Sequence, residues 1–509
     1  MFVPLTVNDF LDRGALVYPE RIAVVDEPDQ PAAPVGPWTY EQFAAAAGSQ
    51  AAALDRLGIP VGGRVAVVSH NSARLLASFF GVSGSGRVLV PVNFRLAPAE
   101  IEYIVEHSGA EVLLVDPELV SLFDTVKARH NYVLGECDDE FFSGRDRGRP
   151  WEGDESATAT INYTSGTTAR PKGVQLTHRN LWINAATFGM HVTLSDRDVL
   201  LHTLPMFHCN GWGMPYAVTG MGGKHVVLRK VDGAEILRRI DEHGVTILCG
   251  APAVLAMVLD AAQTWDGPVP GRDRVRVVVA GAPPPTRTIE RIETELGWEF
   301  IQIYGLTETA PLLTINRRRQ EWDELDPAGR AKRLGKAGVP ALGVRIRADE
   351  FGEVLARSNV VLESYWEQPE ESARALDGGW FHTGDGGSMS DGYLTISDRK
   401  KDVIITGGEN VSSIEVEDVL SSHPNVREVA VVGTPDEKWG EAVTAIVVTD
   451  GSPLTADDLI AHCRASLAGY KCPKRVEFRE SLPRTATGKL QKFKLRADFW
   501  EGEGAQIKG

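Results

Sequence analysis

The strongest constraint on the fold is an alternation of short apolar runs with helical segments. Residues 65–68 form a β-branched run that predicts a buried strand, and residues 71–80 repeat apolar side chains at helical spacing. Further strands are predicted at residues 88–90, 111–115, 226–228, 246–248 and 275–280. This alternation is typical of parallel sheets covered by helices, so we predict an α/β fold.

The sequence changes character near residue 400. Two short strands are predicted at residues 429–432 and 445–448, and helices are predicted to begin at Ser412 and Thr455. The glycine-rich segments 384–387 and 391–392 predict turns. We therefore expect a large N-terminal domain of helix-covered sheets, residues 1–398, and a small mobile α+β domain, residues 399–509.

Composition excludes several classes of protein. The formal net charge of −16 argues against nucleic-acid binding, which needs a basic face. Five widely spaced cysteines without a C-x-x-C pair indicate a reducing compartment, with no disulfide framework and no zinc site. The N-terminus lacks a basic region followed by an apolar run, and no stretch is long enough to span a membrane. These features predict a cytoplasmic protein.

The most informative segment is residues 164–174, Thr-Ser-Gly-Thr-Thr-Ala-Arg-Pro-Lys-Gly-Val, which follows an apolar strand-like run. Gly166 would let the backbone approach an anion closely, and Lys172 adds a compact positive charge. The segment lacks the spacing of a Walker A loop. Phosphate oxygens could also be bound by four hydroxyl groups, those of Thr164, Ser165, Thr167 and Thr168.

Residues 164–173 resemble the phosphate-binding motif of the adenylate-forming superfamily, which includes acyl-CoA ligases, peptide-synthetase adenylation domains and luciferases. That family usually has glycine where this chain has Ala169. Four more motifs match in order, at residues 304–309, 383–385, 398–402 and 483–489. The resemblance covers nearly the whole chain and is greatest to fatty acyl-CoA ligases.

The resemblance implies a two-step reaction that uses ATP, Mg²⁺ and coenzyme A. A carboxylate is a poor acyl donor because its leaving group would be oxide. Attack of the carboxylate on the α-phosphorus of ATP releases pyrophosphate and makes AMP the leaving group of the resulting acyl-adenylate. The phosphoryl charge that develops must be neutralised. By resemblance, Glu308 holds Mg²⁺ with Thr164 nearby.

The resemblance also implies a nucleotide site. Asp385 would accept hydrogen bonds from both ribose hydroxyls, and Arg399 would contact the ribose and phosphate region. The adenine would lie between Tyr304 and the loop of Gly281, Ala282 and Pro283. Gly305 and Thr309 belong to the same nucleotide motif as Tyr304 and Glu308.

Two further roles are implied for the C-terminal domain. Lys489 would bridge the carboxylate and the α-phosphate during adenylation. Lys401 matches the hinge about which the domain would rotate between the two half-reactions. Rotation would bring Gly407 and Gly408 over the adenylate, where they would leave a slot for the pantetheine arm of coenzyme A.

Residues 204–216 resemble the segment that lines the acyl pocket of fatty acyl-CoA ligases. His208 would close the carboxylate end of the pocket, and Gly211 and Trp212 lie in the same segment. A histidine among apolar residues is equally well explained as a core residue with satisfied hydrogen bonds. Trp212 is likewise open to two interpretations, a gate of the pocket or part of the core.

The sequence favours an acyl-CoA ligase for a medium- or long-chain fatty acid or another apolar monocarboxylate. One alternative is an aryl or short-chain acid, and another is transfer of the acyl group to a carrier-protein thiol or an amine. A remote alternative is a non-catalytic nucleotide or acyl sensor on the same fold. The expected partners are the acid, ATP and coenzyme A, with a homodimer left open.

Overall fold

A computed structural model of the protein describes residues 1–144, 146–164, 170–399, 402–407, 409–436, 438–484 and 490–500. Of Arg399 it describes the backbone alone. Several predicted site residues lie outside the described residues, namely Ser165, Gly166, Thr167, Thr168, Lys401, Gly408 and Lys489.

Side-chain caps fix the start of many helices. The Thr39 hydroxyl accepts a hydrogen bond from the backbone N–H of Gln42 at 3.2 Å, which satisfies one of the free N–H groups of the first turn. The helices are α1 (Asn8–Val17), α2 (Tyr40–Arg56), α3 (Ala73–Gly81), α4 (Pro98–Ser108), α5 (Asp138–Phe141), α6 (His178–His191), α7 (Met214–Met221), α8 (Gly233–His243), α9 (Pro252–Ala262), α10 (Thr286–Arg291), α11 (Pro327–Leu334), α12 (Pro369–Ala375), α13 (Ser413–Ser421), α14 (Ala456–Arg464) and α15 (Lys492–Trp500). The helices predicted at residues 71–80 and after Ser412 and Thr455 are confirmed as α3, α13 and α14.

The strands contain the apolar runs of the sequence. They are β1 (Ile22–Val25), β2 (Pro37–Thr39), β3 (Arg64–Val68), β4 (Val88–Val92), β5 (Ala110–Val115), β6 (His130–Val133), β7 (Thr158–Thr164), β8 (Lys172–Thr177), β9 (Val199–His202), β10 (Lys224–Val227), β11 (Ile247–Gly250), β12 (Arg276–Val279), β13 (Glu299–Gly305), β14 (Leu312–Arg317), β15 (Val339–Pro340), β16 (Arg345–Ala348), β17 (Glu353–Arg357), β18 (Ser364–Tyr365), β19 (Phe381–Ser390), β20 (Tyr393–Arg399), β21 (Ile404–Thr406), β22 (Glu409–Val411), β23 (Val426–Asp436), β24 (Gly440–Thr449) and β25 (Arg475–Phe478). Every strand predicted from the sequence overlaps one of these.

Two large sheets, each mostly parallel, make up most of the N-terminal part. One has the order β15-β14-β13-β12-β11-β9-β10-β1-β2, and the other has the order β18-β8-β7-β4-β3-β5-β6. In β3, Val65 and Val67 pack into one hydrophobic cluster while Ala66 and Val68 pack into another. All four side chains are fully buried, because helices or the neighbouring sheet cover both faces. The predicted α/β fold is confirmed.

Two smaller sheets follow along the chain. The sheet β16-β17-β19-β20 ends the first part, and the order β22-β21-β24-β23, with β25 beside β24, forms the sheet of the C-terminal part. Strand β20 ends at Arg399 and β21 begins the next sheet at Ile404. The change of sheet falls within the segment proposed as a hinge, and the domain boundary at residues 398/399 stays a prediction.

The turn predicted at residues 384–387 is wrong, since these residues lie inside β19. A β-bulge falls between Gly386 and Gly387, where β19 pairs with β20. A Cβ on Gly387 would stand 2.7 Å from the carbonyl oxygen of Thr395, so the glycine permits close approach of the two backbones. The turn predicted at residues 391–392 is confirmed between β19 and β20.

Among the described residues, no helix is both long and apolar enough to cross a membrane.

We expect the free energy of unfolding to fall as the pH drops below about 6.5. Burial lowers the pKa of His178 to about 4 and that of His202 to about 3. Both imidazoles stay neutral in the fold at pH values where the unfolded chain already binds protons. Each therefore removes about 1.4 kcal/mol per pH unit across that window, which urea unfolding at several pH values would measure.

His178→Gln is a control for this pH dependence. Nδ1 of His178 accepts a hydrogen bond from the backbone N–H of Val7 at 3.3 Å, and a glutamine oxygen could take over that role without titrating. The variant should show a shallower loss of stability toward acid pH. A urea midpoint that stays level between about pH 6.5 and about pH 4.5 in the wild type would contradict the prediction.

Candidate active site

The predicted phosphate loop connects two antiparallel strands of the second large sheet. Strand β7 ends at Thr164 and β8 begins at Lys172, and these two residues are paired across the strands. A hydrogen-bonded ladder therefore fixes Thr164 and Lys172, which stand on either side of the predicted loop. The hydroxyl of Thr164 and the ammonium of Lys172 are the parts of the predicted motif that this ladder positions.

Lys172 has a carboxylate partner. Its Nζ lies 2.5 Å from Oε2 of Glu371, which belongs to α12, and it stands 5.1 Å from the ring centre of Tyr365. Hydrogen bonding to Lys172 is the main cause that lowers the pKa of Glu371, so this carboxylate is ionised at neutral pH. The lysine charge expected to serve a phosphate is thus neutralised by an acid in this structure.

Glu308 lies in a short 3-10 turn, Thr307–Thr309, directly after β13. Its Oε1 accepts a hydrogen bond from the hydroxyl of Tyr365 at 2.9 Å, and its backbone carbonyl accepts one from Leu362 at 2.7 Å. Burial and the Glu308 charge raise the pKa of Tyr365, so the phenol remains a proton donor. The carboxylate is thereby held in a fixed orientation.

The predicted Mg²⁺ fits the donor set at this point. Carboxylate and hydroxyl oxygens such as those of Glu308 and Thr164 are the hard ligands that Mg²⁺ prefers. The described residues contain no group of three or more His, Cys, Asp or Glu side chains that could hold a metal ion.

The other members of this motif shape the backbone around Glu308. The Thr309 hydroxyl accepts a hydrogen bond from the Leu306 N–H at 3.0 Å and bonds the carbonyl of Pro311 at 2.7 Å. A Cβ on Gly305 would stand 1.6 Å from that same carbonyl oxygen, so this position accepts glycine alone.

The predicted ribose and adenine residues meet at one edge of the fold. The Tyr304 hydroxyl donates to Oδ2 of Asp385 at 2.8 Å, and Asp385 is nearly buried in β19. Asp385 is paired with Arg399 across β19 and β20, which places the two predicted ribose contacts opposite each other. The loop of residues 281–283 follows β12, which runs parallel to β13, so it lies at the same edge as Tyr304.

The predicted acyl-pocket segment contains a backbone feature that its sequence does not reveal. Five consecutive residues have positive φ: Cys209 (47°), Asn210 (51°), Gly211 (57°), Trp212 (60°) and Gly213 (78°). They form a left-handed turn directly after His208, which is half-buried. A left-handed conformation costs roughly 1–2 kcal/mol for each residue that carries a Cβ, so the surrounding contacts must impose it.

Cys209 connects this turn to the Glu308 motif. Burial and, to a smaller extent, the negative charge of Glu308 raise the pKa of the Cys209 thiol. Trp212 is 5% exposed and belongs to the main hydrophobic cluster together with Met206 and Tyr216. The acyl segment therefore lies within range of the charge of the predicted metal carboxylate, and its tryptophan is part of the core.

Gly407 lies in the hairpin between β21 and β22, where Thr406 pairs with Glu409. Its φ is 61°, and a Cβ there would stand 2.8 Å from the ring of Trp439. Lys438 and Lys474 lie 4.9 Å and 5.7 Å from the centre of that ring. The predicted pantetheine glycine thus packs beneath an aromatic ring flanked by two cations.

Side-chain contacts link the strand before the hinge to the C-terminal helices. Oδ2 of Asp398 accepts hydrogen bonds from the Ser413 backbone N–H at 3.0 Å and from the Ser413 hydroxyl at 2.5 Å. Lys492 bonds the same hydroxyl and lies 2.8 Å from Oε1 of Glu417. Together these four side chains form a buried polar cluster at the first turn of α13.

The arrangement can be compared with known proteins. The sequence profile described as AMP-binding enzyme matches residues 11–366, and that described as AMP-binding enzyme C-terminal domain matches residues 415–489. The chain belongs to the AMP-binding enzyme family. The adenylate-forming chemistry expected from the motifs is confirmed at this level, and the protein is an acid–thiol ligase that uses ATP and coenzyme A.

Three relatives illustrate the similarity. A 2-methylpropanoate–CoA ligase of Humulus lupulus is 37% identical, covering 99% of this chain and 97% of its own. A 4-hydroxybutyrate–CoA ligase of Metallosphaera sedula is 38% identical, covering 97% and 94%. The structure of a Mycobacterium tuberculosis fatty acyl CoA synthetase is 31% identical with a TM-score of 0.74, covering 97% and 98%.

Sequence reasoning missed Tyr365, Glu371, Cys209 and Asn210 as site residues. Tyr365 and Glu371 lie far along the chain from the residues they contact. Nothing in residues 364–371 alone points to phosphate or metal chemistry. Asn210 and Cys209 lie inside the segment predicted to line the acyl pocket. Apart from its two glycines, nothing in that segment predicts a left-handed turn of five residues.

Tyr365→Phe should lower the rate of adenylate formation about tenfold, because a hydrogen bond to a charged group is worth about 1.5–3 kcal/mol. The loss should appear in kcat of ATP–pyrophosphate exchange, with the KM for the acid nearly unchanged, since the phenol orients Glu308. A matched control is Tyr393→Phe, which removes an equally buried hydroxyl that has no hydrogen-bond partner among the described residues. Equal losses in both variants would contradict the role of Tyr365.

Proposed function

We propose that the protein activates a short aliphatic monocarboxylic acid with ATP and transfers the acyl group to coenzyme A. Support comes from the two curated relatives described above, whose names give four-carbon acids as substrates. The observation that carries the proposal is the left-handed turn after His208. It keeps Trp212 packed in the main hydrophobic cluster and the Cys209 thiol buried within range of the Glu308 charge, and a pocket closed by these side chains would admit only a small acyl group.

A medium- or long-chain fatty acid, favoured by the sequence motifs, is the second candidate. The similarity to a fatty acyl CoA synthetase supports it. In that case Trp212 would have to leave the core cluster and act as a gate. Two kinds of alternative remain. The substrate could be an aryl acid, and the acyl acceptor could be a carrier-protein thiol or an amine.

In the proposed first half-reaction the nucleotide lies along the edge that carries Tyr304 and Asp385. Asp385, already ordered by the Tyr304 hydroxyl, accepts the ribose hydroxyls, and the loop of residues 281–283 covers the adenine. Glu308 and Thr164 would hold Mg²⁺, which would neutralise phosphate charge when bound. Lys172 leaves Glu371 to meet the phosphates, so Glu371 keeps the lysine charge near the loop in the absence of ATP.

In the proposed second half-reaction the C-terminal domain rotates about Lys401. Arg399, one position after Asp398 on β20, stays with the nucleotide. The hairpin that carries Gly407 and Gly408 then faces the adenylate, and the thiol of coenzyme A attacks the acyl carbon and displaces AMP. We place this reaction in the cytoplasm, and a homodimer stays a prediction.

The first test is a panel of acids in ATP–pyrophosphate exchange, with and without coenzyme A. We expect kcat/KM for a branched four-carbon acid to exceed that for a sixteen-carbon acid by about tenfold or more, because an enclosed pocket penalises each added methylene. Addition of coenzyme A should give the thioester and AMP. The second candidate predicts the reverse order of the two acids.

Two results would overturn the proposal. A preference for the long acid would exclude a short-chain substrate while leaving the ligase activity intact. Adenylation of an acid without any thioester in the presence of coenzyme A would exclude coenzyme A as the acceptor.

The second test replaces the lysine predicted to bridge the acid and the α-phosphate. Lys489→Ala should abolish adenylate formation while still allowing thioester formation from a supplied acyl-adenylate, because the cation serves one half-reaction. Lys494→Ala, an exposed lysine on α15, is the control and should retain both activities. A normal adenylation rate in Lys489→Ala would show that another group supplies the charge.

A further inference from the structure

The left-handed turn formed by Cys209–Gly213 needs contacts that hold it. Two of its residues are glycines, which adopt positive φ readily, and Asn210 is the side-chain-bearing type that tolerates it best. Cys209 and Trp212 have no such tolerance. All five residues are buried, so the packing and hydrogen bonds around the turn decide its conformation.

A closed ring of three side chains holds the centre of the turn. Nδ2 of Asn210 donates to the Thr160 hydroxyl at 3.0 Å, and that hydroxyl donates to Oδ1 of Asn162 at 2.9 Å. Nδ2 of Asn162 then donates to Oδ1 of Asn210 at 3.0 Å. The three side chains are nearly or fully buried, so each amide satisfies its partner and breaking one bond leaves unpaired polar groups.

A second amide holds the end of the turn. Nδ2 of Asn184 donates to the carbonyl of Trp212 at 3.2 Å, and Oδ1 of Asn184 accepts from the Leu312 N–H at 3.1 Å. A Cβ on Gly213 would stand 2.3 Å from Nδ2 of Asn184, so the turn lies directly against this amide. The turn is thus fastened both to β7 and to the start of β14.

The ring joins two parts of the proposed active site. Asn162 and Thr160 belong to β7, which ends at Thr164 where the phosphate loop begins. The turn also brings the Cys209 thiol within range of the Glu308 charge, which contributes to the raised pKa of that thiol. A displacement of the turn relative to β7 would therefore move the acyl segment relative to both the phosphate loop and the metal carboxylate.

We propose that Asn162 and Asn210 are positioning residues that set the place of the acid substrate relative to the nucleotide. This inference rests on the proposed function, in which the turn borders the acyl group. The two amides touch neither substrate. They hold the strained turn in one position, and that position determines which acyl chains fit and how closely the carboxylate approaches the α-phosphorus.

The test uses Asn162→Ala and Asn210→Gly. Alanine at residue 162 breaks the ring from the strand side, and glycine at residue 210 keeps the positive φ while removing the amide. Each variant should raise the KM for the preferred acid about tenfold and reduce the discrimination against a longer acid, with the KM for ATP within about twofold of the wild type. The double variant should be no worse than either single one, because both break the same ring.

Asn316→Ala is the matched control. Asn316 is equally buried and bonds the carbonyls that end α11, so its loss should lower stability without changing the KM for the acid. If Asn162→Ala does not fold, Asn162→Ser replaces it in the test. Serine keeps a small hydroxyl donor, so its KM for the preferred acid should lie between that of the wild type and the value expected for Asn162→Ala.

Three results would overturn the inference: a KM for the acid within about twofold of the wild type in both variants, an equal rise of the KM for ATP, or losses in the double variant that multiply. The comparison is made with whichever acid the wild type prefers. A wild-type preference for a long acid would therefore contradict the proposed substrate. The ratio of the KM for that acid in the variant to the KM in the wild type would still decide the role of the ring.

Discussion

The hydrogen-bonded ladder β18-β8-β7 positions the predicted phosphate and metal residues of the candidate active site. Pairing of β7 with β8 sets Thr164 opposite Lys172 at the two ends of the phosphate loop. Pairing of β18 with β8 sets Tyr365 beside Val174, from where its hydroxyl reaches Glu308. Helix α12 follows β18 and supplies Glu371 to Lys172. One edge of a sheet thus positions the Lys172 ammonium and the phenol that orients the Glu308 carboxylate.

The parts of the protein that were predictable are those where local sequence and final environment agree. The run at residues 65–68 is β-branched throughout and is buried on both faces in β3, so propensity and burial favour the same structure. Ser412 and Thr455 cap helices in the structure because their side chains can bond the backbone two or three residues on. Tyr304, Glu308 and Asp385 were identified by resemblance, and the structure brings Tyr304 and Asp385 into contact.

The parts that were not predictable depend on contacts between distant segments. The glycines at residues 384–387 have the composition of a turn, yet Gly387 lies so close to the neighbouring strand that a Cβ would stand 2.7 Å from the Thr395 carbonyl oxygen. The sequence around Asn210 predicts an ordinary loop residue. In the structure Asn210 is hydrogen-bonded to Asn162 and Thr160, which lie about fifty residues earlier in the chain. The local sequence predicts that Glu371 is a solvent-exposed acid on a helix. In the structure it pairs with Lys172, 199 residues earlier in the chain. Local patterns contain no trace of such pairs, because the residues gain their roles only when the sheets assemble.

The polar cluster formed by Asp398, Ser413, Glu417 and Lys492 lies beside the segment proposed as the hinge. Glu417 is largely buried, and this burial raises the pKa of its carboxyl group even though Lys492 lies beside it, so the bonds of the cluster only partly offset the cost of desolvation. Asp398 immediately precedes the segment that contains Lys401, while Ser413 begins the first helix beyond it. A rotation about that segment would separate Asp398 from Ser413. The Asp398 carboxylate and the Lys492 ammonium would then need water molecules as hydrogen-bond partners. If the C-terminal domain rotates as proposed, the balance between its two orientations depends on how well solvent replaces these bonds.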